Sequence, residues 1–97
     1  MKIKVNYDFT QHELVGATDI FEVADGVKLG DLLRLIDGRI MEAGRNKGIE
    51  TTYKTILAAD QLNACMVFIN GSAPGNMLDH ELHDGDTIEF VYGFCGG

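Results

Sequence analysis

Residues 84–92 read Asp84-Gly85-Asp86-Thr87-Ile88-Glu89-Phe90-Val91-Tyr92, and this stretch decides the fold. Its opening Asp-Gly is a tight-turn signal, because both residue types tolerate the backbone angles of a sharp reversal. From Thr87 onward Ile88, Phe90 and Tyr92 alternate with Thr87, Glu89 and Val91. A period of two is the signature of a strand with one buried face. Five residues follow it, Gly93-Phe94-Cys95-Gly96-Gly97.

Outward from this strand, Cys65 to Asn70 is a compact apolar run closed by Asn70-Gly71, a second turn signal, and reads as another strand. At the far end of the chain, Lys2 to Phe9 alternates strictly, which predicts a strand with Ile3, Val5, Tyr7 and Phe9 on its inner side. A polar stretch through Gln11-His12-Glu13 and Gly16 leads to a further strand over Thr18–Val23. The short link predicts an antiparallel hairpin.

Leu29, Leu32, Leu33, Ile36 and Ile40 fall on one stripe of a helix expected from Leu29 to Ala43 and ending near Gly44. Gly38 inside that pattern costs roughly 1 kcal/mol relative to Ala, and marks a frayed end or a close backbone approach. Between Gly44 and Asn63 the residues Ile49, Tyr53, Ile56 and Leu57 suggest a short second helix. The expected architecture is an α+β roll, a mixed sheet of four to five strands packed on one main helix. A right-handed crossover through that helix allows the last strand to lie parallel to the first. Residues 1–92 form one domain in this reading, with 93–97 as a flexible C-terminal tail.

Composition narrows the function. The 97 residues are 45% apolar, enough for one core but leaving little room for a deep enclosed active site. Eight Lys and Arg against 15 Asp and Glu give a net charge of −7, which argues against nucleic acid and anionic membrane as partners. The crowd of Asp79, Glu81, Asp84, Asp86 and Glu89 would instead steer a basic docking surface, or simply keep the surface solvated. No apolar run approaches the length of a bilayer span and the first residues lack a signal-type apolar core, so a cytoplasmic location is expected. Two cysteines, Cys65 and Cys95, are too few for a disulfide framework and fit free thiols.

The usual catalytic constellations are missing. Gly44-Arg45-Asn46-Lys47-Gly48 lacks the spacing of a phosphate loop and follows a helix instead of a strand. His80 and His83 stand three apart among acidic residues, a weak metal signal best read as solvated turn chemistry. Tyr7, Phe9, Phe21, Phe68, Phe90 and Tyr92 sit at expected strand positions, where core packing outweighs base stacking. No nucleophile has a base partner that the sequence can specify. What remains is the tail. Gly96 and Gly97 have no Cβ to resist an extended fit in a narrow groove. Five extended residues reach about 17 Å from the domain.

Taken together, the opening strand, the helix start at Leu29 to Leu33, the run Val67-Phe68-Ile69-Asn70-Gly71, the segment Leu82-His83-Asp84-Gly85-Asp86-Thr87-Ile88 and the terminal Gly96-Gly97 resemble the MoaD/ThiS family of ubiquitin-like sulfur carriers. The resemblance implies a β-grasp fold and a carrier that is a co-substrate, not an enzyme, or else the small subunit of a molybdopterin synthase-like complex. It implies that Gly97 is adenylated by an E1-like adenylyltransferase using ATP and Mg²⁺, with no cofactor stably bound to the carrier. A persulfide sulfur donor would then convert Gly97 to a thiocarboxylate for a sulfur-accepting synthase of the molybdopterin or thiamin type. Gly96 would permit threading, Phe68, Phe90 and Phe94 are candidates for partner docking, and Cys95 is a candidate for redox chemistry or sulfur relay. The same tail would serve a protein modifier joined to target lysines, and a plain β-grasp binding module would not need it. The segment Gly44 to Asn63 is longer than in a minimal ThiS-type carrier, and Tyr92-Gly93-Phe94-Cys95 lacks the proline-containing approach common in MoaD-like members.

Overall fold

Alternation at the two ends of the chain produces the two central strands. The computed structural model describes residues 1–75 and 77–92. In chain order these form β1 (Lys2–Asn6), α1 (Phe9–Val15), β2 (Thr18–Glu22), α2 (Leu29–Lys47), β3 (Leu57–Ala58), β4 (Gln61–Leu62), β5 (Cys65–Ile69), a 3₁₀ turn (Met77–Asp79) and β6 (Thr87–Tyr92). The main sheet has the order β2-β1-β6-β5. β1 runs antiparallel to β2 and parallel to β6, and β5 runs antiparallel to β6. The expected hairpin, crossover and parallel first and last strands are all present, and the fold is a β-grasp roll.

One face of the sheet buries Ile3, Val5, Tyr7, Cys65, Val67, Ile69, Ile88 and Phe90. Against it α2 lays Leu29, Leu32, Leu33, Ile36 and Ile40, every one of them fully buried. This is the stripe that the helical spacing predicts. The helix continues past Gly44, however, to Lys47, and stops at Gly48, whose φ of 69° is the left-handed cap that glycine accepts without strain. Arg45 and Lys47 in the last turn oppose the negative end of the helix dipole. The close approach expected of Gly38 occurs at Gly44. A Cβ on Gly44 would collide with Thr51 Cγ2 and lie 2.8 Å from the Ile49 carbonyl oxygen, whereas Gly38 faces open space.

Two further readings are corrected. Phe9 does not extend the first strand. Asp8 caps a seven-residue helix instead, its carboxylate accepting the Thr10 N–H at 2.9 Å while the Gln11 side chain accepts the Asp8 N–H at 3.1 Å. That capping box turns the chain after Asp8 and leaves Phe9 81% exposed. The second short helix between Gly44 and Asn63 is also absent. Residues 49–56 form an irregular loop with a turn at 52–54, and β3 and β4 pair as a miniature hairpin with Leu57 opposite Leu62. Asp37 of α2 causes this, because its buried carboxylate accepts the Ile56 N–H at 2.6 Å and the Leu57 N–H at 3.0 Å, groups a helix would have used internally. No helix among the described residues is long and apolar enough to cross a membrane.

Candidate functional site

The parallel pairing of β1 with β6 brings their C-terminal ends to the same edge of the molecule. The chain leaves the sheet at Tyr92, beside the start of α1. Gly96, Gly97, Phe94 and Cys95, beyond this root of the tail, lie outside the described residues. The Tyr92 hydroxyl donates to the Thr55 carbonyl at 2.9 Å, fixing the last strand to the 49–56 loop. Burial raises the Tyr92 pKa far above the usual phenol range, with the neighbouring Cys65 adding to it, so the ring stays a neutral donor.

Asp8 closes the other side of the root. Burial alone would raise its pKa, but hydrogen bonds from the Thr10 hydroxyl and N–H, the Tyr92 backbone N–H and the charge of nearby His12 outweigh it, and the net shift is downward. An ionised carboxylate therefore sits where β6 ends. Cys65, paired across from Tyr92, is buried and its thiol faces the Ile56 carbonyl at 3.6 Å. Burial pushes the thiol pKa up, which disfavours the thiolate and makes Cys65 a structural residue.

The outer face of the sheet is different in character. Met66 and Val91 stand opposite each other in register and are 40% and 41% exposed, with half-buried Phe68 next to them on β5. Phe68 thus belongs to an accessible apolar patch beside the end of β6. Phe90 does not. It points to the helix side at 4% exposure, with its ring centroid 6.4 Å from that of Tyr7, because even-numbered positions of β6 face inward. Its place among the docking residues is corrected to the core.

The remaining candidates are accounted for by local structure. Gly44 to Gly48 is the end of α2 and the cap after it, not a phosphate loop. Among the described residues no group of three His, Cys, Asp or Glu side chains is placed to hold a metal ion. Apart from Glu89, which lies within β6, the acidic crowd lies at the opposite end of that strand from Tyr92, and two of its members are engaged with the chain itself. Asp84 accepts the Lys2 N–H at 2.7 Å, and Asp86 accepts the Asn70 side-chain amide at 2.9 Å and the His83 N–H at 2.8 Å.

Sequence reading missed α1 and the part that Asp37 plays. Asp8 and Gln11 at capping-box spacing were the available signal for the first. The second had none, since the partners of Asp37 are 19 and 20 positions away.

Residues 5–97 match the ThiS family. The chain belongs to that family. The resemblance to ubiquitin-like sulfur carriers of the MoaD/ThiS kind therefore holds over nearly the whole length of the sequence. No curated protein matches the sequence significantly. Among solved structures, SAMP1 from Haloferax volcanii superposes with a TM-score of 0.73 at 18% identity, covering 100% of both chains. A chain of the complex of subunits 1 and 2 of the molybdopterin-converting factor from Helicobacter pylori gives 0.58 at 21% identity, again over 100% of both chains. Urm1 from Trypanosoma brucei gives 0.60 at 21%, covering 99% of this chain and 95% of its own. At these identities the three establish the shared fold.

Proposed function

We propose that this ThiS-family chain carries sulfur on its own C-terminus, with Gly97 as the attachment point. The observation that supports this most is the position of β6. It is a central strand, held by β1 on one side and β5 on the other, and it delivers residues 93–97 from a fixed root at Tyr92.

A carboxylate is a poor acylating group, and activation splits one hard substitution into two easier ones. In the proposed cycle a Gly97 carboxylate oxygen attacks the α-phosphorus of ATP on an E1-like enzyme with Mg²⁺, and pyrophosphate leaves. The terminal sulfur of a donor persulfide then attacks the acyl adenylate and expels AMP. A second thiol cleaves the resulting acyl disulfide, leaving Gly97 as a thiocarboxylate and the donor cysteines as a disulfide. Gly96 allows the end to thread into the partner, and the patch of Met66, Phe68 and Val91 beside β6 docks the body, with Phe94 as a further contact. Cys95, two residues from the reacting carbon, is the tail's own thiol for a redox or relay step. The acceptor is a synthase of the molybdopterin or thiamin type, and the setting is cytoplasmic.

Intact-mass spectrometry of protein co-expressed with its activating enzyme and sulfur donor is expected to show a species with one terminal oxygen replaced by sulfur. A population ending wholly in carboxylate would refute the proposal. The likeness to small archaeal modifier protein 1 favours one second reading, in which activated Gly97 acylates a target lysine. Slower-migrating adducts that vanish on deleting Gly97 would select that reading.

A further inference from the structure

Among the described residues the two large apolar side chains most exposed to water are Phe9 at 81% and Tyr53 at 82%, and neither belongs to the apolar patch on the sheet. Both lie on segments that flank the root of the tail. Phe9 opens α1, immediately after Asp8, and Tyr53 lies two residues from Thr55, which receives the Tyr92 hydroxyl.

These two segments form one unit. Gln11 is fully buried and its side-chain amide donates to the Lys54 carbonyl at 2.8 Å. The Lys54 ammonium in turn reaches the Thr10 carbonyl at 3.4 Å and pairs with Glu13 at 3.3 Å. From α2, Lys47 donates to the Glu13 carbonyl at 2.7 Å. A surface cleft of about 320 Å³ opens between them, lined by Phe9, Thr10, His12, Glu13 and Lys54. Its lip is ordered by the edge-on contact of Phe9 with His12, whose ring centroids are 5.7 Å apart. The fold thus leaves two aromatic rings facing water on joined segments without using either for its core.

The tail determines what covers them. Five residues beyond Tyr92 span at most about 17 Å, so any enzyme that receives Gly97 in its active site must bring its surface over the root. Glycines 96 and 97 offer that enzyme no side chain to recognise. The first enzyme in the cycle must nevertheless select this carboxylate from all other chain ends, and every later transfer depends on its choice. Recognition at that step has to come from the body around the root, where aromatic rings give large contact area at low entropic cost.

We infer that Phe9 and Tyr53, on the two segments that flank Tyr92, form an apolar docking platform for the ATP-dependent activating enzyme. This rests on the carrier function proposed above. It assigns the selection of the carrier to α1 and the 49–56 loop, a surface separate from the sheet patch of Met66, Phe68 and Val91.

The test compares the wild-type chain with Phe9→Ala, Tyr53→Ala and the double variant as substrates of the E1-like adenylyltransferase of the same organism, followed by ATP–pyrophosphate exchange. Both rings are exposed, so circular dichroism and thermal melting of the variants should match wild type. The expected result is a KM for the double variant raised about tenfold or more with kcat held, smaller increases for the single variants, and recovery with Phe9→Tyr. Exchange with wild type and an unchanged KM for the double variant would overturn the platform while leaving sulfur carriage intact. No exchange with wild type would overturn both. Normal adenylation of the double variant combined with impaired delivery to the acceptor would overturn the choice of partner.

Discussion

The two ends of β6 are stabilised by the same kind of bond and built in opposite ways. At its start, Asn70 and Asp86 join two neighbouring turns: the Asn70 amide donates to Asp86 and its carbonyl accepts the Thr87 N–H at 2.9 Å. Asn70 and Asp86 are turn residues carrying out turn chemistry, with Asn70 and Gly71 at φ 51° and 87°. At its finish, Tyr92 is held by Thr55, and the loop containing Thr55 is held by Asp37 from the middle of a helix and Gln11 from another. The difference shows how a small domain can keep one pole fixed by local rules and leave the other to be shaped by distant side chains. The second arrangement is at the pole where the tail departs.

The sharpest way to break the distal arrangement is Asp37→Ala. It strands the Ile56 and Leu57 N–H groups in the core, and at about 1–3 kcal/mol for each unsatisfied buried donor the loss should be about 3 kcal/mol, read by urea denaturation. Asp37→Asn tests the charge. Burial raises the Asp37 carboxyl above its ordinary 3.8, opposed by the two N–H groups, so the native state holds the proton more tightly than the unfolded chain. That contribution is complete below pH 3.8 and is lost as pH rises through the folded value. The stability of wild type relative to Asp37→Asn should therefore fall as pH increases across that window. A difference that rises instead would mean that the hydrogen bonds dominate.

Next in size is Gly44→Ala, which forces Thr51 and the Ile49 carbonyl away from α2 and should cost about 2 kcal/mol. Gly38→Ala has no such neighbour and should stabilise by up to about 1 kcal/mol. Equal melting temperatures for these two variants would contradict the geometry. At the local pole, Asn70→Ala removes two hydrogen bonds and places Ala at positive φ, for a loss of about 2 kcal/mol, and Asn70→Gly should recover only the backbone part. The smallest effect is Asp8→Ala, which removes the cap of α1 and should cost about 1 kcal/mol in thermal melts.

What was legible in the sequence follows the same division. Alternation in Thr87 to Tyr92, the Leu29 to Ile40 stripe, Asn70-Gly71 and Asp84-Gly85 are local signals, and each gave its element. Phe9 misled because an apolar residue at the next alternating position looks like more strand, although Asp8 and Gln11 already carried the cap that ends it. Ile49, Tyr53, Ile56 and Leu57 have helical spacing, but a pattern of four apolar residues cannot show that Asp37 claims the N–H groups of two of them. The terminal diglycine could be read as a candidate only through the company it kept. The platform of Phe9 and Tyr53 could not be read at all, since their segments are joined only by the long-range bonds of Gln11 to Lys54 and of Tyr92 to Thr55.

The parallel pairing of β1 with β6 also has a mechanical consequence. A pull applied to the chain beyond Tyr92 runs along β6, which is bonded on both edges, to β1 in the parallel sense and to β5 in the antiparallel sense. The load falls on both ladders in shear, so the bonds must give way together and cannot be unzipped one after another. A chain end anchored like this can be drawn into a tight channel and dragged out again while the domain behind it stays folded.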